Sequence, residues 1–151
     1  MNERGFVGGF EVLPFGLLVF VAGTLLITNA WAVYDAKVAA SAAAREAVRA
    51  YVEADSSADA AQLAREAGLE AIAGHGRDPM RAEIEWAVGP DFRRCALNTV
   101  VVHYRVPTLT VPFVGAFGGG VVETSGRHSE IVDPYRSGLS VEGFDPDTCH
   151  A

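Results

Sequence analysis

The chain has 151 residues, half of them hydrophobic, and a formal net charge of −7. That length leaves room for one membrane-length helix and one domain of about a hundred residues. Setting aside Glu3, Arg4 and Glu11, the part from Asp35 onward carries 11 Lys+Arg and 17 Asp+Glu, a net charge of −6; so acidic a domain argues against nucleic acid or anionic headgroups as its main partners.

A short segment, residues 1–11, precedes an uninterrupted apolar run from Val12 to Tyr34, VLPFGLLVFVAGTLLITNAWAVY, with no charge between Glu11 and Asp35. At 1.5 Å per residue this run extends about 35 Å as a helix, enough to cross a hydrocarbon core of about 30 Å. It reads as a transmembrane helix. Glu11 stands at its leading edge, where a carboxylate entering the hydrocarbon costs a few kcal/mol unless a partner or the headgroups receive it. Asn29 stands near the far end, either bonding across helices or sitting in the wet interface beside Trp31 and Tyr34. Gly16 and Gly23, seven residues apart, fall on similar sides and would admit a neighbouring helix. A rival reading makes the run a signal peptide, with Ala30-Trp31-Ala32 as the cleavage site, although the run exceeds the usual h-region of about 7–15 residues. The positive-inside rule disagrees with an outside domain, since Lys37, Arg45 and Arg49 outnumber Arg4 across the span.

From Asp35 to Ala54 nothing breaks a helix, and alanine dominates. Lys37, Ser41, Arg45 and Arg49 share a solvated face; Val33, Ala36, Ala40, Ala43, Ala44, Ala47 and Tyr51 share the opposite one. Span and continuation therefore form one rod, whose alanine stripe, with Ala40, Ala44 and Ala47, invites close packing by a helix or a sheet. Ser56 with Asp59 resembles a capping box that opens a second helix. This helix should turn Leu63, Ala67 and Ile72 inward and stop at Gly74. Residues 75–79 are a turn.

The period then changes from helical to alternating. Ala82 to Val88 alternates, with Ile84, Trp86 and Val88 on one side. Gly89-Pro90-Asp91 turns the chain, and Asn98 to Val106 is β-branched and aromatic, with Val100, Val102, Tyr104 and Val106 as its apolar side. A third strand covers about Gly120 to Val132, bent near Gly126. The spacings predict an antiparallel meander of about three strands on two helices, an α+β fold. Between the last two strands, residues 107–120 are apolar but punctuated by prolines and glycines. Leu109, Val111, Phe113 and Phe117 either pack on the core or meet a partner or the bilayer. The tail, 139–151, lacks a regular pattern.

Cys95 and Cys149 form one disulfide if the domain lies outside the cytoplasm and stay reduced if it lies inside. No CxxC or His/Cys cluster points to a metal. No cofactor motif appears. The four histidines are scattered, the triple glycine at 118–120 lacks a following Lys-Ser/Thr, and no nucleophile elbow surrounds Ser129 or Ser137. An enzyme is not expected.

Taken together, Arg4-Gly5, Glu11, Pro14, the stretch from Ala42 to Tyr51 and the strand end from Tyr104 to Pro107 resemble the TadE/TadG-like pseudopilins of tight-adherence (Flp-type) pilus systems. The resemblance covers about residues 4 to 138. It implies a single-pass protein of the cytoplasmic membrane, with residues 1–11 cytoplasmic, 12–34 in the bilayer and 35–138 an extracytoplasmic pilin-like domain. Its partners would be other pilin-like subunits or platform proteins of a pilus or secretion machine. The helix-assembly contacts would then come from Glu11, Pro14, Gly16, Gly23, Asn29, Ala40, Ala44 and Ala47. The family also implies a glutamate at the fifth position after prepilin-peptidase cleavage. Cleavage after Gly5, Gly8 or Gly9 would instead place Glu11 at +6, +3 or +2, a departure from that pattern. Two alternatives stand beside the pilin-like one: a membrane anchor displaying a small ligand- or partner-binding domain, and a domain released after Ala32.

Overall fold

The computed structural model describes residues 12–109, 120–139 and 149. Helix α1 runs unbroken from Val12 to Glu53, and α2 follows from Ser57 to Gly74. A 3₁₀ turn at Pro79–Arg81 leads into strands β1 (Ala82–Val88), β2 (Leu97–Pro107) and β3 (Val121–Ile131). The strands form one antiparallel sheet in the order β1-β2-β3. This is an α+β fold.

The C-terminal part of α1 lies across one face of the sheet, with α2 beside it. Ala36, Ala39, Ala40, Ala43, Ala44, Ala47 and Val48 are fully buried against Ile72 of α2 and Val100, Val102, Tyr104 and Val106 of β2. Alanine brings backbones close, and the closest approach is at β3. A Cβ added to Gly126 would stand 2.2 Å from the Ser41 nitrogen and 2.4 Å from the Ala40 carbonyl carbon. Only glycine fits there, which gives that residue a packing role in the middle of a strand.

Helix α2 starts as its cap dictates: the Ser56 hydroxyl oxygen accepts from the Asp59 backbone N–H and donates to the Asp59 carboxylate. Its inward face differs from the expected one. Ala60, Ala64, Gly68 and Ile72 are buried, whereas Leu63 is exposed and Ala67 only partly covered. The small residues form an i, i+4 ridge that reaches α1 and β1 at short range; a Cβ on Gly68 would come within 2.7 Å of Ile84 Cδ1 and 3.2 Å of Ala47 Cβ. Leucine would hold the helices apart. Gly74 remains helical, and Gly76, with φ of 69°, takes the left-handed conformation that turns the chain.

On β1, Ile84 and Trp86 face the core as expected, but the register slips between Trp86 and Val88 and leaves Val88 exposed. At the end of α1, Tyr51 meets Trp86 and Phe92 edge-on, with centroids 4.6 and 5.5 Å away. Asn98, wholly buried, stitches the Gly89–Asp91 turn: its Oδ1 accepts from Asp91 N and its Nδ2 donates to Asp91 O, both at 2.8 Å. From the C-terminal segment, Arg136 donates to the carbonyls of Val52 and Ala54, supplying a cation to an α1 end that has no basic residue of its own. Cys95 and Cys149 are disulfide-bonded, with Cα atoms 5.1 Å apart.

Candidate functional site

The least satisfied surface of the molecule is the N-terminal half of α1. Among the described residues one helix, near the N-terminus, is long and apolar enough to cross a membrane, and none of its most apolar window is buried. Phe15, Leu17, Leu18, Phe20, Leu26 and Ile27 are all at least 64% exposed and together point to every side of the helix. A stripe on one side would fit a groove; exposure all round fits hydrocarbon.

The polar side chains of this arm are already satisfied. Thr24 Oγ1 donates to the Phe20 carbonyl at 2.9 Å, Thr28 Oγ1 to that of Thr24 at 2.8 Å, and Asn29 Nδ2 to that of Leu25 at 3.0 Å. Returning each donor to the carbonyl four residues back removes most of the cost of taking it out of water. Gly16 and Gly23 have open space where a side chain would begin, so both present bare backbone on the exposed helix. Pro14 sits in the first turn of α1, where it removes no helical hydrogen bond.

The arm is fastened to the domain at its root. Arg77, in the turn after α2, donates to the Asp35 carboxylate through Nη2 at 2.6 Å and Nε at 3.2 Å, and to the Ala32 carbonyl at 3.0 Å. Its guanidinium also lies 5.5 Å from the centre of the Tyr104 ring. The side chain is largely covered, at 16% exposure, while Asp35 remains half exposed. Trp31 and Tyr34 pair beside this clamp, with centroids 6.1 Å apart, and both are open to the surroundings. Aromatic rings next to the first charged residue form the boundary pattern of a membrane-water interface.

A second fastening involves Asn29. Its Oδ1 accepts from the Leu109 backbone N–H at 2.9 Å, so the end of the β2–β3 hairpin is tied to the rod within its apolar run. Thr108 closes the hairpin: its backbone N–H and hydroxyl donate to the Gly120 carbonyl at 3.0 and 2.8 Å, and the hydroxyl oxygen accepts from Gly120 N at 3.0 Å. The polarity of Asn29 thus serves a contact inside the chain rather than one across helices.

The structure redistributes the predicted assembly residues. Ala40, Ala44 and Ala47 are fully buried in the chain's own core, where α2 and the sheet occupy the space a partner helix would need. They are packing residues. Pro14, Gly16 and Gly23 stay on the free arm, and Asn29 and Leu109 meet each other. Glu11, Val111, Phe113 and Phe117 lie outside the described residues.

Elsewhere, His103 on the outer face of the sheet bonds Glu123 through Nδ1 at 2.8 Å and lies 3.9 Å from Glu85. Among the described residues no group of three or more His, Cys, Asp or Glu side chains converges to hold a metal. A shallow cleft of about 290 Å³ between α2 and β1 is lined by Arg65, Arg81, Arg105, Glu83, Met80 and Ile84, among others. Arg105 pairs with Glu83 at 3.1 Å and Arg81 with Asp78 at 3.4 Å, which leaves little of that positive charge for an anion. Arg77, Arg136 and the Asn29–Leu109 tie were missed in the sequence; only their chemistry, a cation or an amide near an apolar run, could have flagged them. Comparison with protein-family models, curated proteins and solved structures returned no match to this chain.

Proposed function

We propose that this protein is a non-enzymatic, single-pass membrane protein of a bacterial envelope. The Val12–Tyr34 arm spans the cytoplasmic membrane and the α+β domain stands outside the cytoplasm. Within that frame it acts as a pilin-like, TadE-like subunit or assembly factor of a pilus or secretion machine. One observation carries the reading: a single unbroken helix stands bare on every side from Val12 to Thr24, while its second half is the core of a small antiparallel domain. The arm and domain are one rigid lever, clamped at Asp35 and Asn29. Sideways association of such arms would carry the domains with them. The sequence resemblance supports the pilin-like part, and the Cys95–Cys149 disulfide supports an oxidising compartment for the domain.

Two experiments test the reading. In spheroplasts, a membrane-impermeant maleimide applied after reduction should label the cysteines without lysis; labelling that requires lysis puts the domain in the cytoplasm. A photo-crosslinking residue at Gly16 or Leu18, expressed in the native envelope, should give discrete adducts with other single-span subunits. If the arm crosslinks only to lipid, the protein is a passive anchor and the assembly role fails.

A further inference from the structure

We infer that Leu109 and Val121, described residues toward the far end of the β2–β3 hairpin, are a second membrane contact, seated beside the rod in the outer interfacial layer of the bilayer. The lipid surface is the occupant of this exposed apolar pair, which adjoins the arm where Leu109 meets Asn29. The inference rests on the membrane-spanning reading of that arm and deepens it.

Three independent features of the described residues converge. The first is depth. Leu109 is held by the Asn29 side chain, and Asn29 lies six residues, about 9 Å along the helix, before Asp35, the first charge after the apolar run. A bilayer that covers the rod as far as Trp31 and Tyr34 therefore reaches the hairpin end. The second is the chemistry of the surface. Leu109 is 51% exposed and Val121 64%; Val122 faces the other side of the sheet, with Val106, and is not part of this surface. The nearest described charges on the hairpin are Arg105 and Glu123, directly paired across β2 and β3. Arg105 is four residues, about 13 Å of strand, before Leu109. Rod and hairpin thus keep their charges back to comparable levels. The third is hydrogen bonding. Backbone at an apolar boundary must have its groups paired. Here Leu109 N, Thr108 N and Gly120 N all donate within the chain, and the Gly120 carbonyl accepts twice.

A two-point contact has a consequence for the lever. One helix alone can rotate about its axis and tilt, whereas a helix with an apolar hairpin end beside it holds one azimuth at the membrane. The domain then presents a fixed face to its neighbours.

The test uses the full chain, disulfide intact, in nanodiscs of phosphatidylcholine and phosphatidylglycerol with methyl-labelled Leu, Val and Met. A spin label on the upper acyl chain and a water-soluble gadolinium chelate are applied separately. The expected result is that the methyl signals of Leu109 and Val121 lose most of their intensity to the lipid label and little to gadolinium. They would match Leu26 and oppose Met80, which is fully open on the domain. If Leu109 and Val121 instead behave like Met80 while Leu17 and Leu18 report lipid, the inference is overturned and the membrane span survives. Protection from both probes would mean that protein covers the patch, which also overturns it. If Leu17 and Leu18 themselves report water, the membrane-spanning reading fails first.

Discussion

The two halves of α1 obey the same backbone rules and end in opposite environments. From Val12 to Thr24 the side chains are mostly large and apolar and stand exposed in every direction; from Ala36 to Tyr51 one face is alanine and vanishes into the core. The difference lies in side-chain size and placement. Bulky residues on the exposed turns keep other backbone at a distance, so most of the arm finds no cover within the chain. A one-sided alanine stripe lets backbone approach backbone, so that half makes a protein interior. The same helix joins the two, and Arg77 marks the seam.

The sharpest way to break the comparison is at the closest approach. Gly126→Val would drive a side chain into the backbone of Ala40 and Ser41. We expect a loss of roughly 3 kcal/mol or more, because helix backbone cannot yield as a side chain would. Thermal unfolding of the domain in nanodiscs, followed by near-ultraviolet circular dichroism, checks it. The arm should tolerate the same bulk without effect, so Gly16→Val should leave that transition where it is.

A matched pair of substitutions sharpens the contrast. Leu18→Arg places a charge in the middle of the arm at a cost of about 2.5–3.5 kcal/mol in membrane insertion, read as a fall in the membrane-integrated fraction. Ala43→Leu overpacks the core by about 1–3 kcal/mol and lowers the domain's unfolding midpoint while insertion stays intact. An arm substitution that lowered the domain midpoint equally would show that the two halves are not separate environments.

Loosening the seam has a smaller effect. Arg77→Ala removes the bonds to Asp35 and Ala32, but Asp35 is half exposed and the pair is partly screened, so we expect about 1 kcal/mol. The informative readout is orientation: amide exchange around Ala32 and Asp35 should rise while exchange in β2 stays slow.

The smallest expected effect is electrostatic and lies in the domain alone. The Arg93 guanidinium, bonded to the Asp91 carboxylate at 2.6 Å, holds Asp91 below the ordinary carboxylate range. A carboxyl whose folded value is depressed contributes stability above its unfolded value, about 3.9, and loses it as pH falls through the folded value. Asp91→Asn should therefore lower stability slightly at neutral pH and leave it unchanged in strong acid, so that the acid limb flattens; the effect is small because Arg93 is widely exposed. An acid limb unaltered by this substitution would deny Asp91 any share in it.

Much of this architecture was legible in the chain. The apolar run, its alanine-rich continuation, the Ser56 cap and the three strands all follow from local periodicity and capping chemistry, and β1 begins and ends where the alternation does. The site was legible only in outline. Leu63 and Ala67 looked like the inward face of α2 because hydrophobicity favours leucine; the α1 alanine stripe selected the smaller ridge of Ala60, Ala64 and Gly68 instead. The same stripe, with Ala40, Ala44 and Ala47, resembled a surface for another subunit, but the chain's own sheet and second helix fill it.

By itself the sequence determined that one segment has no charge for 23 residues, long and apolar enough to cross a membrane, and which stretches become helix or strand. These are properties of neighbours in the chain. Only the tertiary structure decided which small residues meet, that Arg77 reaches back 42 residues to Asp35, that Arg136 caps α1 from 84 residues away, and that Leu109 hangs on Asn29 across 80. Contacts at such separations leave no period in the sequence, because they depend on how closely two surfaces can approach. Here alanine and glycine set that distance.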